Sequence, residues 1–330
     1  MTPDPAPDPD PPVMPDLAAA PAWEPVRIPS ADGPGGELLL GVVDGRQRAD
    51  DPTFVVAQGF LAFVEPFEMQ RFQVIAPALR ARLVVVETPG AGFAASRLLP
   101  AERRALLRGD FTVLAHRMLR AATEYTASLD TADPPGPLGV LGYSLGASLA
   151  TAMAVVSAGT TAHPPVESVV LVEPVALRRW SAAGLVAAVR HENRLVQPYL
   201  DRTATVPGAV RPLHARPGAS PTTRRRTDLL LLGNALRAAR LTDDLMTAAH
   251  RWEREPTPRP HRLIVVRGDG STLSPRQQNH DLVAAAERHG ITARLVSVPG
   301  PHAFWQSLPA VAAAAAQLDL LCRAPGSLPE

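Results

Sequence analysis

The stretch that most constrains this chain is PLGVLGYSLGASLATAMA, residues 137–154. An apolar run of strand character meets Gly142-Tyr143-Ser144-Leu145-Gly146 and continues as a row of small residues. A strand that becomes a helix across one serine needs a sharp turn, and side chains at the flanking glycine positions would collide with the neighbouring strand and helix. Such a turn lifts the serine hydroxyl above the sheet. It also aims a helix N-terminus, with free N–H groups and a positive dipole end, at the place where an oxyanion would develop. Ser144 is therefore the expected nucleophile, and the chain must then supply a base and an acid.

Strand and helix patterns alternate on both sides of this turn. PVRIPS, ELLLGVV, TFVVAQGF, ARLVVVETPGAG, VESVVLVEP, HRLIVVRGDG and TARLVSVPGPH read as further strands. VEPFEMQRFQVIAPAL, a long amphipathic pattern within 101–130, LGASLATAMAVVSAG and SPRQQNHDLVAAAERHG read as helices, and HAFWQSLPAVAAAAAQLDLLCRA as a turn followed by a helix. Strands that are apolar throughout, separated by helices, imply a mostly parallel, doubly wound α/β sheet covered on both faces. From Pro174 to about Pro260 the alternation stops and helical patterns take over, broken by a Pro/Gly/Arg-rich loop at 206–226. The expected organisation is a disordered Pro/Asp-rich tail over 1–22, a core of 23–173 and 261–330, and a helical cap inserted over 174–260.

Composition bounds the function from outside. At 330 residues, 46% hydrophobic and 20% charged, the chain is long enough for one large domain with an insertion. A formal net charge of +1 offers no electrostatic footprint for nucleic acid or an anionic membrane. Arg224-Arg225-Arg226 is the one dense basic cluster, read as a solvated loop. The single cysteine, Cys322, cannot close an intramolecular disulfide and reads as packing, and no Cys/His spacing suggests zinc. No apolar run reaches 18 residues, and the N-terminus lacks the basic and apolar regions of a signal peptide. A cytoplasmic location is the default expectation, with no membrane partner, and the oligomeric state is left open.

Among nine histidines, His191, His250 and His289 fall on charged helical faces and His261 opens a strand. His302 instead follows the last apolar strand, in VSVPGPHAFW, on a Gly/Pro-rich loop at a strand's C-terminal end, where ligands bind in α/β sheets. It also stands after the serine, as the order Ser…acid…His requires. His302 is the expected base.

With these residues in view, the chain resembles the α/β-hydrolase superfamily over roughly residues 25–322. ETPGAGFAAS is similar to the family's D-x-P-G-x-G-x-S segment, with Glu87 and Thr88 where other members differ. VVAQGF is similar to the H-G-x loop after the third strand, with Gln58 where histidine is common. The resemblance implies an oxyanion hole built from the backbone N–H groups of Phe60 and Leu145, substrate contacts at Gln58 and Tyr143, and a cap that shapes the pocket. It implies no metal and no organic cofactor. The family's acid usually follows strand seven in G-x-x-D, but GDGSTLSP puts Ser271 there, with Asp269 two residues earlier. Two candidates for the acid stand side by side: Asp269, and Glu173 at the end of VLVEP, the position from which some members take theirs.

The function that follows is a serine hydrolase cleaving an ester, thioester or lactone of a small-molecule acyl substrate. The alternatives are an acyltransferase or cyclase with the same site, and a non-catalytic ligand-binding member. Trp180, Tyr199 and Trp252 are read first as cap packing and second as pocket lining.

Overall fold

A computed structural model describes residues 17–29, 36–60, 62–91, 96–129, 136–203, 226–255 and 261–322, with side chains through 318. The first sixteen residues of the expected tail, most of the ADGPGG turn, part of ETPGAGFAAS, the loop of 206–226 up to Arg225, and the packing of Cys322 lie outside the described residues.

Each expected strand is present: β1 (Trp23–Ile28), β2 (Leu38–Asp44), β3 (Thr53–Ala57), β4 (Arg82–Val86), β5 (Leu138–Tyr143), β6 (Val166–Val172), β7 (Arg262–Gly268) and β8 (Thr292–Val298). They form one sheet in the order β1-β2-β4-β3-β5-β6-β7-β8. β2 runs antiparallel to both neighbours, and every pairing from β4 to β8 is parallel. The crossovers are helical: α1 (Pro66–Leu79), α2 (Pro100–Leu107), α3 (Thr112–Leu129), α4 (Leu145–Ser157), α5 (Ala182–Thr203), α6 (Arg226–Leu236), α7 (Leu241–Trp252) and α8 (Arg276–Arg288), with α9 (Leu308–Cys322) closing the described chain. No described helix is long and apolar enough to cross a membrane.

Period-two alternation divides the strands between two cores. Phe54 and Val56 of β3, Leu83 and Val85 of β4, and Ile264 and Val266 of β7 face α1 and α9. Val55 and Ala57, Val84 and Val86, and Leu263 and Val265 face the layer of α3, α4, α7 and α8. Full burial of one such valine is worth about 1.5–3 kcal/mol, so a slip of one residue in register is strongly disfavoured.

Three expectations change. The amphipathic pattern of 101–130 is two helices, because Gly109 takes φ 76° and a Cβ there would lie 2.3 Å from Ala238 Cβ. Asp110 then caps α3 by accepting hydrogen bonds from Thr112 N–H at 2.9 Å and its hydroxyl at 2.7 Å. The tail boundary moves back from 22, since Leu17 packs on the α1/α9 core and Pro21 O accepts a 2.7 Å bond from Gln73 Nε2. The helical insertion of 174–260 also divides. α7 buries Leu241, Leu245, Ala248, Ala249 and Trp252 in the core cluster, packed on α4 and α8, so it belongs to the core layer. Amphipathic spacing reads the same in a cap or a core, and only packing shows what the apolar face meets.

α5 meets the loop after β8, and α6 packs on α2. Asp228 of α6, wholly buried, is joined by a salt bridge to Arg103 of α2.

Candidate active site

The turn between β5 and α4 has the geometry that its glycines allow. Ser144 takes φ 56°, ψ −112°, and its N–H donates to Val172 O at 2.9 Å. A Cβ on Gly142 would lie 2.1 Å from Gly146 O, and one on Gly146 would lie 1.9 Å from Ala57 O. Both glycines are thus required for contact, the first within the turn and the second between α4 and β3.

His302 opens a short 3-10 turn, His302–Gln306, after β8. Its Nε2 stands 3.0 Å from Ser144 Oγ and its Nδ1 stands 2.6 Å from Glu173 Oε2. Glu173, directly after β6, is fully buried with φ 52°. Its carboxylate also accepts the Ser271 hydroxyl at 2.5 Å and the Gly268 N–H. Asp269 is not brought to His302. It is exposed, and its Oδ1 accepts the Gly300 N–H at 2.9 Å. The residue at the family's usual acid position, Ser271, is a donor to the carboxylate from β6.

Tyr143 lies in the cavity wall, its ring stacked between His302 (5.5 Å, 28°) and Trp305 (5.6 Å, 19°), and its hydroxyl donates to His302 O at 3.2 Å. Burial, with the Glu173 carboxylate adding, pushes its phenol pKa up and keeps it a neutral donor. Phe60 is 39% exposed and lines the same cavity, and Leu145 is the first residue of α4, where N–H groups have no partner within the helix. Gln58 departs from expectation. It is buried beneath the loop after β3, outside the cavity wall, and donates from Nε2 to Phe63 O at 3.1 Å. Glu87 holds the same loop by accepting the Val64 N–H at 3.0 Å.

A cavity of about 630 Å³ opens on Ser144 and His302. Apolar side chains from α5, α6 and the loops after β6 and β7 line most of it, together with Glu68 and Arg71 of α1. Burial pushes the Glu68 carboxyl up, against the lowering effect of Arg71. Trp180, Tyr199 and Trp252 lie outside this wall: Trp180 Nε1 donates to Val175 O, Tyr199 OH to Pro299 O, and Trp252 stacks on His261 at 4.2 Å.

Glu192 was not foreseen. It lies on α5, is 2% exposed, and accepts hydrogen bonds from His302 N–H (2.9 Å), Thr272 N–H (2.5 Å) and the Thr272 hydroxyl (2.7 Å). One acidic residue within RHENR carries no sign that it faces inward. Ser271 was visible as the substituted position, but its role depends on where Glu173 ends.

Away from the cavity, ring nitrogens of His250 and His289 and a Glu253 oxygen lie within 4.8 Å of one another. The three are joined by hydrogen bonds, His289 Nδ1 to Glu253 at 2.8 Å and His250 Nδ1 at 3.4 Å. They gather at the C-terminal ends of α7 and α8, by the edge of the sheet opposite Ser144.

No family model matches the chain, and no curated protein matches it. Solved structures do. An esterase of Pyrobaculum calidifontis is 17% identical with a TM-score of 0.54, over 93% of this chain and 86% of that one. A thermostable esterase of Pseudomonas putida is 15% identical with a TM-score of 0.54, over 95% and 86%. Carboxyl esterase 2 of Tuber melanosporum is 13% identical with a TM-score of 0.54, over 92% and 89%. At these identities the likeness is one of fold. This chain has the α/β-hydrolase fold.

Proposed function

We propose that the protein is a serine hydrolase of carboxylic esters or thioesters, with Ser144 as nucleophile, His302 as base and Glu173 as acid. The observation that carries this reading is the continuous chain of contacts, 3.0 Å from Ser144 Oγ to His302 Nε2 and 2.6 Å from His302 Nδ1 to Glu173. Three structural neighbours that bear the name esterase support it.

In this reading Glu173 accepts Nδ1–H, which leaves Nε2 as the acceptor facing Ser144. As Oγ attacks the substrate carbonyl, its proton passes to Nε2, and the buried carboxylate stabilises the imidazolium. The backbone N–H groups of Phe60 and Leu145 receive the oxyanion, helped by the positive end of α4. His302 then gives its proton to the departing alcohol or thiol. Water attacks the acyl-enzyme with His302 again as base, restoring Ser144. α5 and α6 act as the cap over the cavity, a smaller unit than 174–260.

A fluorophosphonate probe tests the reading. Wild type is expected to be labelled at Ser144 and Ser144→Ala to be unlabelled and inactive on simple 4-nitrophenyl esters. An unlabelled wild type, or labelling that survives in the variant, would overturn it.

A further inference from the structure

Outside the catalytic cavity, the C-terminal ends of α7 and α8 bring together three side chains that could each ligate a metal. His250 and Glu253 stand three residues apart at the end of α7, and His289 is the C-cap of α8. Glu253 bridges the two imidazoles: its Oε1 lies 2.8 Å from His289 Nδ1 and its Oε2 lies 3.4 Å from His250 Nδ1. One nitrogen from each ring and one carboxylate oxygen lie within 4.8 Å of one another. The rings meet edge to face with centroids 4.5 Å apart. All three side chains are open to solvent, at 57% exposure for His250, 45% for Glu253 and 25% for His289, so an ion can reach them.

Two imidazoles and a carboxylate suit a borderline divalent ion, whereas Mg2+ and Ca2+ take oxygen ligands. Around a tetrahedral ion with bonds of about 2.0–2.1 Å, neighbouring ligand atoms stand about 3.3–3.4 Å apart. The separations of 2.8 and 3.4 Å are close to that edge, and rotation of the exposed His250 ring closes the widest pair. Charge points the same way. Glu253 is the C-cap of α7, where the negative end of the helix dipole disfavours a carboxylate and favours a cation. α8 presents its own C-terminal end through His289. Hydrogen bonding to His289, and then to His250, holds the Glu253 carboxyl below its ordinary value, so it is ionised at neutral pH. A cation exchanges these hydrogen bonds for ligand bonds. Each neutral imidazole then carries its proton on Nε2 and offers the lone pair of Nδ1.

We propose that His250, Glu253 and His289 form a zinc site, with Nδ1 of each histidine and one Glu253 oxygen as ligands and water at the fourth position. The ion ties α7 to α8, neighbours in one helical layer, and so acts as a clip on the fold. It takes no part at Ser144, and the site stands independently of the hydrolase reading. Cu2+ binds the same ligands more tightly, following the general order of divalent ions.

Full-length protein freed of metal with a chelator is titrated with ZnCl2 by calorimetry at neutral pH, with MgCl2 in excess. One ion per chain is expected, with a Kd of about 10 μM or tighter. Saturating Zn2+ is expected to raise Tm by about 3–8 °C. His250→Ala and His289→Gln, made separately, are each expected to weaken binding by about tenfold or more and to lose the rise in Tm. Electron paramagnetic resonance of bound Cu2+ reads the ligands directly, with coupling to two nitrogens in wild type and to one in either variant. The site is overturned if wild type shows no saturable Zn2+ binding at that level, if either folded variant binds as wild type does, or if Cu2+ does not couple to two nitrogens. Zinc that binds and leaves Tm unchanged overturns the clip. The wild-type titration and spectrum decide the matter even if a variant does not fold.

Discussion

Glu173 sits in the left-handed backbone region at φ 52°, where few glutamates are found, and it gathers the Ser271 hydroxyl, the Gly268 N–H and His302 Nδ1 around one carboxylate. Backbone strain of this kind persists where the surroundings over-determine it, here through the Glu173 N–H to Val266 O bond of 2.7 Å and the three partners of the side chain. Glu173→Gln puts an amide where His302 needs an acceptor of fixed orientation. It is expected to lower kcat/KM by about 10³–10⁴-fold, the scale of losing the acid in such a triad. Asp269→Asn removes an exposed charge while keeping an oxygen that can accept the Gly300 N–H, and it is expected to stay within about threefold of wild type. Steady-state kinetics on one ester separates the two; equal losses would contradict the assignment of Glu173. Ser144 and His302 were legible because glycine spacing and loop placement are local features. The choice between Glu173 and Asp269 was not, since both end apolar strands and only the path of the following loops brings one of them to the imidazole.

At the scale of the element, α5 is joined to the histidine loop at two points on one face, about two turns apart. Glu192 holds His302 N–H and Thr272, and Tyr199, seven residues on, donates to Pro299 O at 3.1 Å. Gly300 fits this arrangement, since its φ is 136° and a Cβ there would lie 2.7 Å from the Tyr199 ring. The helix that lines the cavity therefore also holds the loop that carries His302. Glu192→Ala leaves these donors without their acceptor, at about 1–3 kcal/mol for each buried group. It is expected to reduce kcat by about 10–100-fold along with a lower Tm, and Glu192→Gln to recover part of both. Unchanged kcat in a destabilised Glu192→Ala protein would show that α5 covers the site without positioning His302. The helical period of 182–203 was readable, but a carboxylate on its inner face was not, because sequence periodicity reports apolar faces and here the inward group is charged.

On the whole-molecule scale, α7 matters because it joins the core layer and takes a carboxylate with it. Asp244 is buried, which pushes its pKa up to about 6, against the lowering effect of Arg240 at 3.6 Å and with Asp110 and Asp243 raising it further. The folded state thus binds this proton more tightly than the unfolded chain does. Its contribution to stability is complete below the unfolded pKa near 3.8 and declines as pH rises to about 6. Asp244→Asn is expected to be more stable than wild type above pH 6, by about 1–3 kcal/mol, with the difference vanishing toward pH 4. Thermal unfolding of both proteins between pH 4 and 8 checks this, and a gain that is flat with pH would contradict it.

The sequence by itself determined the strand–helix alternation, the sharp turn at Ser144 and the loop that carries His302, because each depends on contacts within a few residues: period-two and period-3.6 burial, and glycines at positions where a Cβ would overlap backbone. Tertiary structure alone decided that Glu173 and not Asp269 meets His302, that Gln58 supports a loop instead of facing the cavity, that α7 belongs to the core, and that Glu192 faces inward. Those outcomes join groups up to 129 residues apart in the chain. A buried polar group is specified by the partners that satisfy it, and no local pattern records partners brought together only when the sheet and its covering helices close.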